Sequence, residues 1–123
     1  SSTDLYGGTW NLFSNTMKEM GIECRFVDPA KPEEFNNAID DKTRCIYAET
    51  LPNPKLQVFP ISEVGKIAKE NKIPLIVDNT AAPYISKPLS YGAKKKRSFP
   101  IPAPLPTHSM KIFFISFVGL QHI

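Results

Sequence analysis

The segment PLIVDNT, residues 74–80, runs Leu75, Ile76 and Val77 straight into a carboxylate, Asp78, with Asn79 and Thr80 behind it. Buried strands of parallel sheets read as continuous apolar runs. A charge at the end of one is costly to bury unless something pairs with it. A lysine, or the N–H groups of the next turn, would serve. A second carboxylate, Glu49, ends the run TRCIYAE (43–49). Asn53 stands between Pro52 and Pro54, and two flanking prolines hold its direction. Tyr6 precedes Gly7 and Gly8 in LYGGT, where glycines allow a tight turn beside a flat aromatic ring. Taken alone, Tyr6 reads more plainly as a core tyrosine before an ordinary glycine turn.

The elements that must position these residues alternate. Trp10, Phe13, Met17 and Met20 fall on one helical face within 9–20, and Gly21 is a stop. ECRFVD (23–28) reads as a strand. Pro32 sits in a helix-start position, followed by a face of Phe35, Ala38 and Ile39, which places a helix over 32–40. TRCIYAE (43–49) is a second strand, and LPNPKLQVFP, with three prolines, a loop. Ile61, Val64, Ile67 and Ala68 share one side of a helix over 61–71, with Ser62 as its cap. PLIVDN is a third strand. This order predicts an α/β fold with a parallel-sheet αβα core. In such sheets ligands sit beyond the carboxyl ends of the strands, where both Glu49 and Asp78 fall.

Composition divides the chain near Ala93. Residues 1–93 carry ten Lys and Arg against twelve Asp and Glu, whereas 94–123 carry Lys94, Lys95, Lys96, Arg97 and Lys111 with no acid. The proline run at 100, 102, 104 and 106 fits neither helix nor central strand. IFFISFVGL (112–120) is too short to span a bilayer as a helix. The expected organisation is therefore a folded unit over 1–93 and a basic, proline-rich tail over 94–123. SSTDLYGGTW has neither the basic nor the apolar region of a signal peptide. No membrane or nucleic-acid partner is expected. Cys24 and Cys45 have no CxxC spacing and no nearby histidine, so they are expected to be reduced, packed on strands and free of metal, which suits a cytoplasmic address.

Four stretches, LYGGT (5–9), ETLPNP (49–54), PLIVDNT (74–80) and KPLSYGA (87–93), stand in an order and wording that resemble the pyridoxal-phosphate (PLP) enzymes of cysteine and methionine metabolism, the transsulfuration family. The nearest look is to the O-acetylhomoserine sulfhydrylase branch of methionine biosynthesis, and it runs from Ser1 to Ala93. The resemblance implies part of the large PLP-binding domain of a fold-type I transferase or lyase. It also implies pyridoxal 5'-phosphate as cofactor, an amino-acid substrate, and full-length relatives that are homo-oligomeric. By the same resemblance Asp78 matches the aspartate that keeps the cofactor's ring nitrogen protonated, which sustains PLP as an electron sink. Tyr6 matches the tyrosine that stacks on the ring. Asn53 matches the asparagine beside the phenolic oxygen and the substrate, Glu49 its supporting glutamate, and Thr80 a residue that orients Asp78 or the ring.

The family's Schiff-base lysine follows its aspartate by roughly two dozen residues and carries the chemistry. Here that region is the proline run, with alanine at position 103. HSMK (108–111) is a faint echo of the family's HSxTK and sits late, so Lys111 is a weak match and no catalytic residue is assigned. The family's phosphate-binding loop precedes its YGGT motif. The chain is thus expected to be a sulfhydrylase-type fragment, inactive alone. Cystathionine synthases and lyases share these motifs. A non-catalytic, frameshifted remnant is the other alternative, since KKK is what slippage in an adenine run produces, and a binding tail with loose PxxP spacing is a third. The nucleotide sequence around codon 93 tests the remnant reading: a second frame encoding ADIV and a later TK is the expected finding, and its absence removes that reading.

Overall fold

The computed structural model describes residues 1–88 and the backbone of 115–118. The chain opens with α1 (Gly7–Asn11), a π-helical turn (Leu12–Thr16) and α2 (Met17–Glu19), which follow one another without a break. Gly21, at φ +77°, ends this helical run. Its N–H reaches the Lys18 carbonyl at 3.0 Å and the Ile22 N–H reaches that of Met17 at 2.9 Å. This is the paired closure that a left-handed glycine permits. Then come α3 (Glu34–Asn37), β1 (Ile46–Glu49), α4 (Ile61–Glu70), β2 (Leu75–Asp78) and β3 (Ile115–Val118).

β1 and β2 pair in parallel, with Ile46 opposite Leu75 and Glu49 opposite Asp78. β3 lies antiparallel on the other edge of β2. The α/β class and the parallel pairing follow the expected order, whereas the strand from the tail runs against it. Side chains alternate along a strand. Ile46, Ala48, Leu75 and Val77 therefore share one face and join Val27, Phe35, Phe59, Val64 and Ala68 in the core. Phe35 and Phe59 meet edge to face at 5.9 Å. On the opposite face, Tyr47 receives the edge of Phe13 from the π-helical turn at 4.9 Å.

Four local expectations change. ECRFVD (23–28) is not a strand: Val27 alone makes a parallel bridge, to Ser2. The reason is intervening chain. Ser2 donates to the Tyr47 carbonyl while Thr3 donates to that of Val27, both at 2.9 Å, so residues 1–3 stand between 23–28 and β1. Ser62 does not cap α4, because the helix starts at Ile61 behind Pro60, whose carbonyl accepts the Val64 N–H at 3.1 Å. The helix expected over 32–40 contracts to α3, as Pro32 and its neighbours form tighter turns ahead of it. The cysteines are free and neither lies on a strand; Cys45 is exposed. The expected tail boundary at Ala93, the lysine and proline runs, Ala103 and Lys111 lie outside the described residues.

Leu75 is fully buried at the sheet–helix contact, whereas Ile22 is half exposed. Leu75→Ala is expected to lower unfolding stability by about 2–5 kcal/mol. Ile22→Ala is expected to cost less than about 0.5 kcal/mol. Urea melts of both variants check the contrast; equal losses would place the core elsewhere.

Candidate functional site

The parallel register sets Glu49 beside Asp78 at the carboxyl ends of β1 and β2, on the face turned away from the core. Both carboxylates are buried, Glu49 to 8% and Asp78 to 7% exposure. Among the described residues no lysine, arginine or histidine pairs with either one. Hydrogen-bond donors from the next turns compensate instead. Thr80 donates twice to Asp78 Oδ1, from its N–H at 2.8 Å and from its hydroxyl. The Tyr6 N–H is shared between both oxygens of Glu49, 3.0 Å from each. Thr50 extends the ladder by donating its N–H to the Asp78 carbonyl at 2.9 Å. Its hydroxyl reaches the buried Asn79 side chain at 2.9 Å, and Asn79 in turn donates to the Ser86 carbonyl at 3.0 Å. The turn after β2 is thereby fixed at several points.

Tyr6 is anchored at its backbone and open at its side chain, which is half exposed. Its ring lies across Gly8. A Cβ at Gly8 would stand 2.9 Å from Tyr6 Cε1, closer than real Cβ atoms stand, and 3.3 Å from Cδ1, whereas one at Gly7 would meet nothing within 4 Å. Of the two glycines, Gly8 is the one whose missing side chain decides where the ring lies.

Tyr47 is a site residue that sequence reasoning missed. It lies two residues before Glu49 on the same strand face, near Thr9 and Asp78. Burial first, then the neighbouring charges of Asp78 and Glu49, push its phenol far above the usual tyrosine range. It stays a neutral donor. The available signal was the strand period itself: residue 47 shares the face of residue 49.

Among the described residues no hydrogen bond joins Asn53 to either carboxylate. Its loop turns through an Asn53–Pro54 cis bond and closes with the Leu56 N–H on the Pro52 carbonyl at 2.7 Å. Asn53 borders a recess of about 60 Å³ with Asp4, Leu5 and Lys55. That is smaller than the roughly 300–1,000 Å³ of ordinary ligand pockets. The structure thus brings Tyr6, Glu49, Asp78 and Thr80 together through hydrogen bonds or strand register. Among the described residues no group of three metal-ligating side chains forms, and no helix is long and apolar enough to cross a membrane.

The arrangement can do one thing chemically. It presents an anion held in a fixed orientation beside an exposed aromatic face, which suits a flat, cationic heteroaromatic ring. The carboxyl of Glu49 is raised above its ordinary value of 4.5, by burial first; the Tyr6 N–H and the Thr9 hydroxyl oppose this and the charge of Asp78 adds to it. The folded chain thus holds this proton at a pH where the unfolded chain has released it. The stabilising contribution is lost as pH rises from 4.5 through the folded-state value. Glu49→Gln, which keeps an acceptor for Tyr6, is expected to flatten that part of the stability–pH curve in urea melts. An unchanged slope would rule out Glu49 as its source.

The profile of the Cys/Met metabolism PLP-dependent enzymes matches residues 1–94. The chain is 51% identical over 94 residues to an O-acetyl-L-homoserine sulfhydrylase of Leptospira meyeri, covering 76% of this chain and 21% of that protein. It is 44% identical to a homocysteine/cysteine synthase of Saccharomyces cerevisiae, with the same coverages. Among solved structures, a Campylobacter jejuni protein described as an O-acetylhomoserine (thiol)-lyase, which carries an N'-pyridoxyl-lysine-5'-monophosphate, superposes with a TM-score of 0.72 at 39% identity. That match covers 74% of this chain and 23% of the other. The metB protein of Corynebacterium glutamicum superposes at 0.69, also at 39% identity, over 74% of this chain and 24% of that one. The chain spans about a fifth of the length of the curated relatives it matches. Over that span the sequence and the fold agree, and the chain belongs to the Cys/Met metabolism PLP-dependent enzyme family.

Proposed function

We propose that residues 1–93 are the ring-side portion of the PLP-binding domain of an O-acetylhomoserine sulfhydrylase-type enzyme. The observation that carries this reading is the joint placement of Tyr6, Glu49, Asp78 and Thr80 at the carboxyl ends of two parallel strands. The residues present suit the cofactor's ring: an oriented carboxylate for its protonated nitrogen, and an open aromatic face held clear by Gly8. When bound, PLP supplies an electron sink for replacement chemistry on an amino-acid substrate. The chain's own part is positional. Asp78 holds the ring nitrogen's proton, Thr80 fixes the Asp78 oxygen, Tyr6 covers the ring, Glu49 anchors Tyr6, and Asn53 borders the substrate side. Homo-oligomeric assembly and a cytoplasmic address follow in this reading from the likeness to the sulfhydrylases.

The family match ends at residue 94, and in this reading 94–123 are a basic, proline-rich tail outside the family's pattern, although its Ile115–Val118 pairs with β2. Alanine occupies position 103, near where the resemblance expects the lysine that bonds the cofactor. In this reading, position 103 then supplies no base for proton transfer at the substrate carbon.

Two experiments test the proposal. Purified chain given PLP, O-acetylhomoserine and sulfide is expected to release no homocysteine and to retain no stoichiometric borohydride-fixed cofactor at one site. A single-site label at Lys111 with turnover would overturn the inactive-fragment reading. Grafting residues 1–93 in place of the matching segment of the Leptospira meyeri sulfhydrylase is expected to keep sulfide-dependent homocysteine formation. Asp78→Asn in that chimera is expected to cut the rate by about 10²–10³-fold, the scale for losing one preorganised electrostatic partner. Full activity with Asn at position 78 would refute its role.

A further inference from the structure

We propose that Asp4 and Lys55 form a clasp that positions the Tyr6 turn and the Asn53 loop against each other, so that the two segments hold one spacing; its purpose, though not its geometry, rests on the cofactor reading above. Lys55 Nζ donates to Asp4 Oδ1 at 2.7 Å across fifty-one residues of sequence. The two partners are unlike: the Asp4 side chain is 2% exposed and that of Lys55 66%. The carboxylate is built in from its own side as well. Thr3 Oγ1 donates to the same oxygen at 3.2 Å, and the Asp4 N–H donates to the buried Ser2 hydroxyl at 3.1 Å.

The sequence positions make this pair a coupling rather than a surface ornament. Tyr6 lies two residues beyond Asp4 and is bound to Glu49 through its N–H. Asn53 lies two residues before Lys55, inside the turn that Leu56 closes on Pro52. One charge-assisted contact thus joins the chain leading into the stacking residue to the chain leaving the asparagine. The hydrogen bond to Asp4 and the charge of that carboxylate raise the Lys55 ammonium above its ordinary range, so the contact persists across neutral pH. Removing the lysine leaves a buried carboxylate with no cationic partner among the described residues, a state that is strongly destabilising. In the proposed clasp, the relief comes from residues 4–6 moving outward, which loosens the Tyr6 N–H from Glu49.

Amide hydrogen exchange on the full chain tests the clasp. The reporters are the Tyr6 N–H, bound to Glu49, and the Leu56 N–H, bound to Pro52. The controls are Ile46 and Thr50, whose N–H groups bind the Pro74 and Asp78 carbonyls at 2.9 Å. Lys55→Met is expected to speed exchange about tenfold or more at both reporters and at neither control, as local opening does. Lys55→Arg, which can still donate to Asp4, is expected to restore both rates. Asp4→Asn gives a second approach if Lys55→Met fails to fold: it keeps the contacts with Ser2 and Thr3 within reach, and is expected to loosen Leu56 and Tyr6 alike. Acceleration at only one reporter, at reporters and controls together, or without rescue by arginine, would overturn the clasp. The chimera separates the readings: full activity of Asp78→Asn there removes the cofactor reading while the exchange result stands on its own.

Discussion

Two buried anions side by side, Glu49 on β1 and Asp78 on β2, are the constraint around which this chain is arranged. Like charges on directly opposite strand positions repel, and burial makes each one costlier. The described residues meet that cost without a cation. Backbone and hydroxyl donors approach from two separate segments, the Tyr6 turn for Glu49 and the Thr80 turn for Asp78. Each segment must then be held where its donor is needed. The glycine turn at one end of the chain and the tight turn after β2 are consequences of this solvation, and the aromatic ring of Tyr6 is carried into place by the first of them.

The strand period separates stability from chemistry. Ile46, Ala48, Leu75 and Val77 supply the core, while Tyr47, Glu49 and Asp78 face the other way. A one-residue slip would exchange the two sets. The apolar cluster with Phe35, Phe59, Val64 and Ala68 is therefore also what keeps the carboxylates on their side of the sheet. Tyr47 belongs to the carboxylate face, where its ring meets Phe13.

Much of this was legible before any coordinates. The unbroken run Leu75–Val77 ending in Asp78 marked a buried parallel strand closed by a carboxylate, because few structures other than a covered strand need that pattern. The helical period of Ile61, Val64, Ile67 and Ala68 placed α4 to within a residue. ECRFVD was misread because its apolar content is strand-like while its neighbour in space, the Ser1–Thr3 segment, carries no strand signal of its own. Met20 belonged to the apolar face by spacing, yet it is 70% exposed. The π-helical turn at Leu12–Thr16 carries one more residue per turn than an α-helix, so positions beyond it leave the face that a 3.6-residue period assigns. Thr80 at Asp78, and the division of labour between Gly7 and Gly8, depend on distances that no one-dimensional pattern contains.

The shared bond from the Tyr6 N–H to both oxygens of Glu49 has a mechanical consequence. It pins the backbone end of the side chain to a strand, so the ring behaves as a paddle on a fixed axle. It can turn about its two side-chain torsions, but its pivot cannot translate. Gly8 leaves the sweep of the blade clear on the near side, where a methyl group would strike it. A flat guest of variable tilt could thus be followed by rotation alone, with no rearrangement of the sheet beneath.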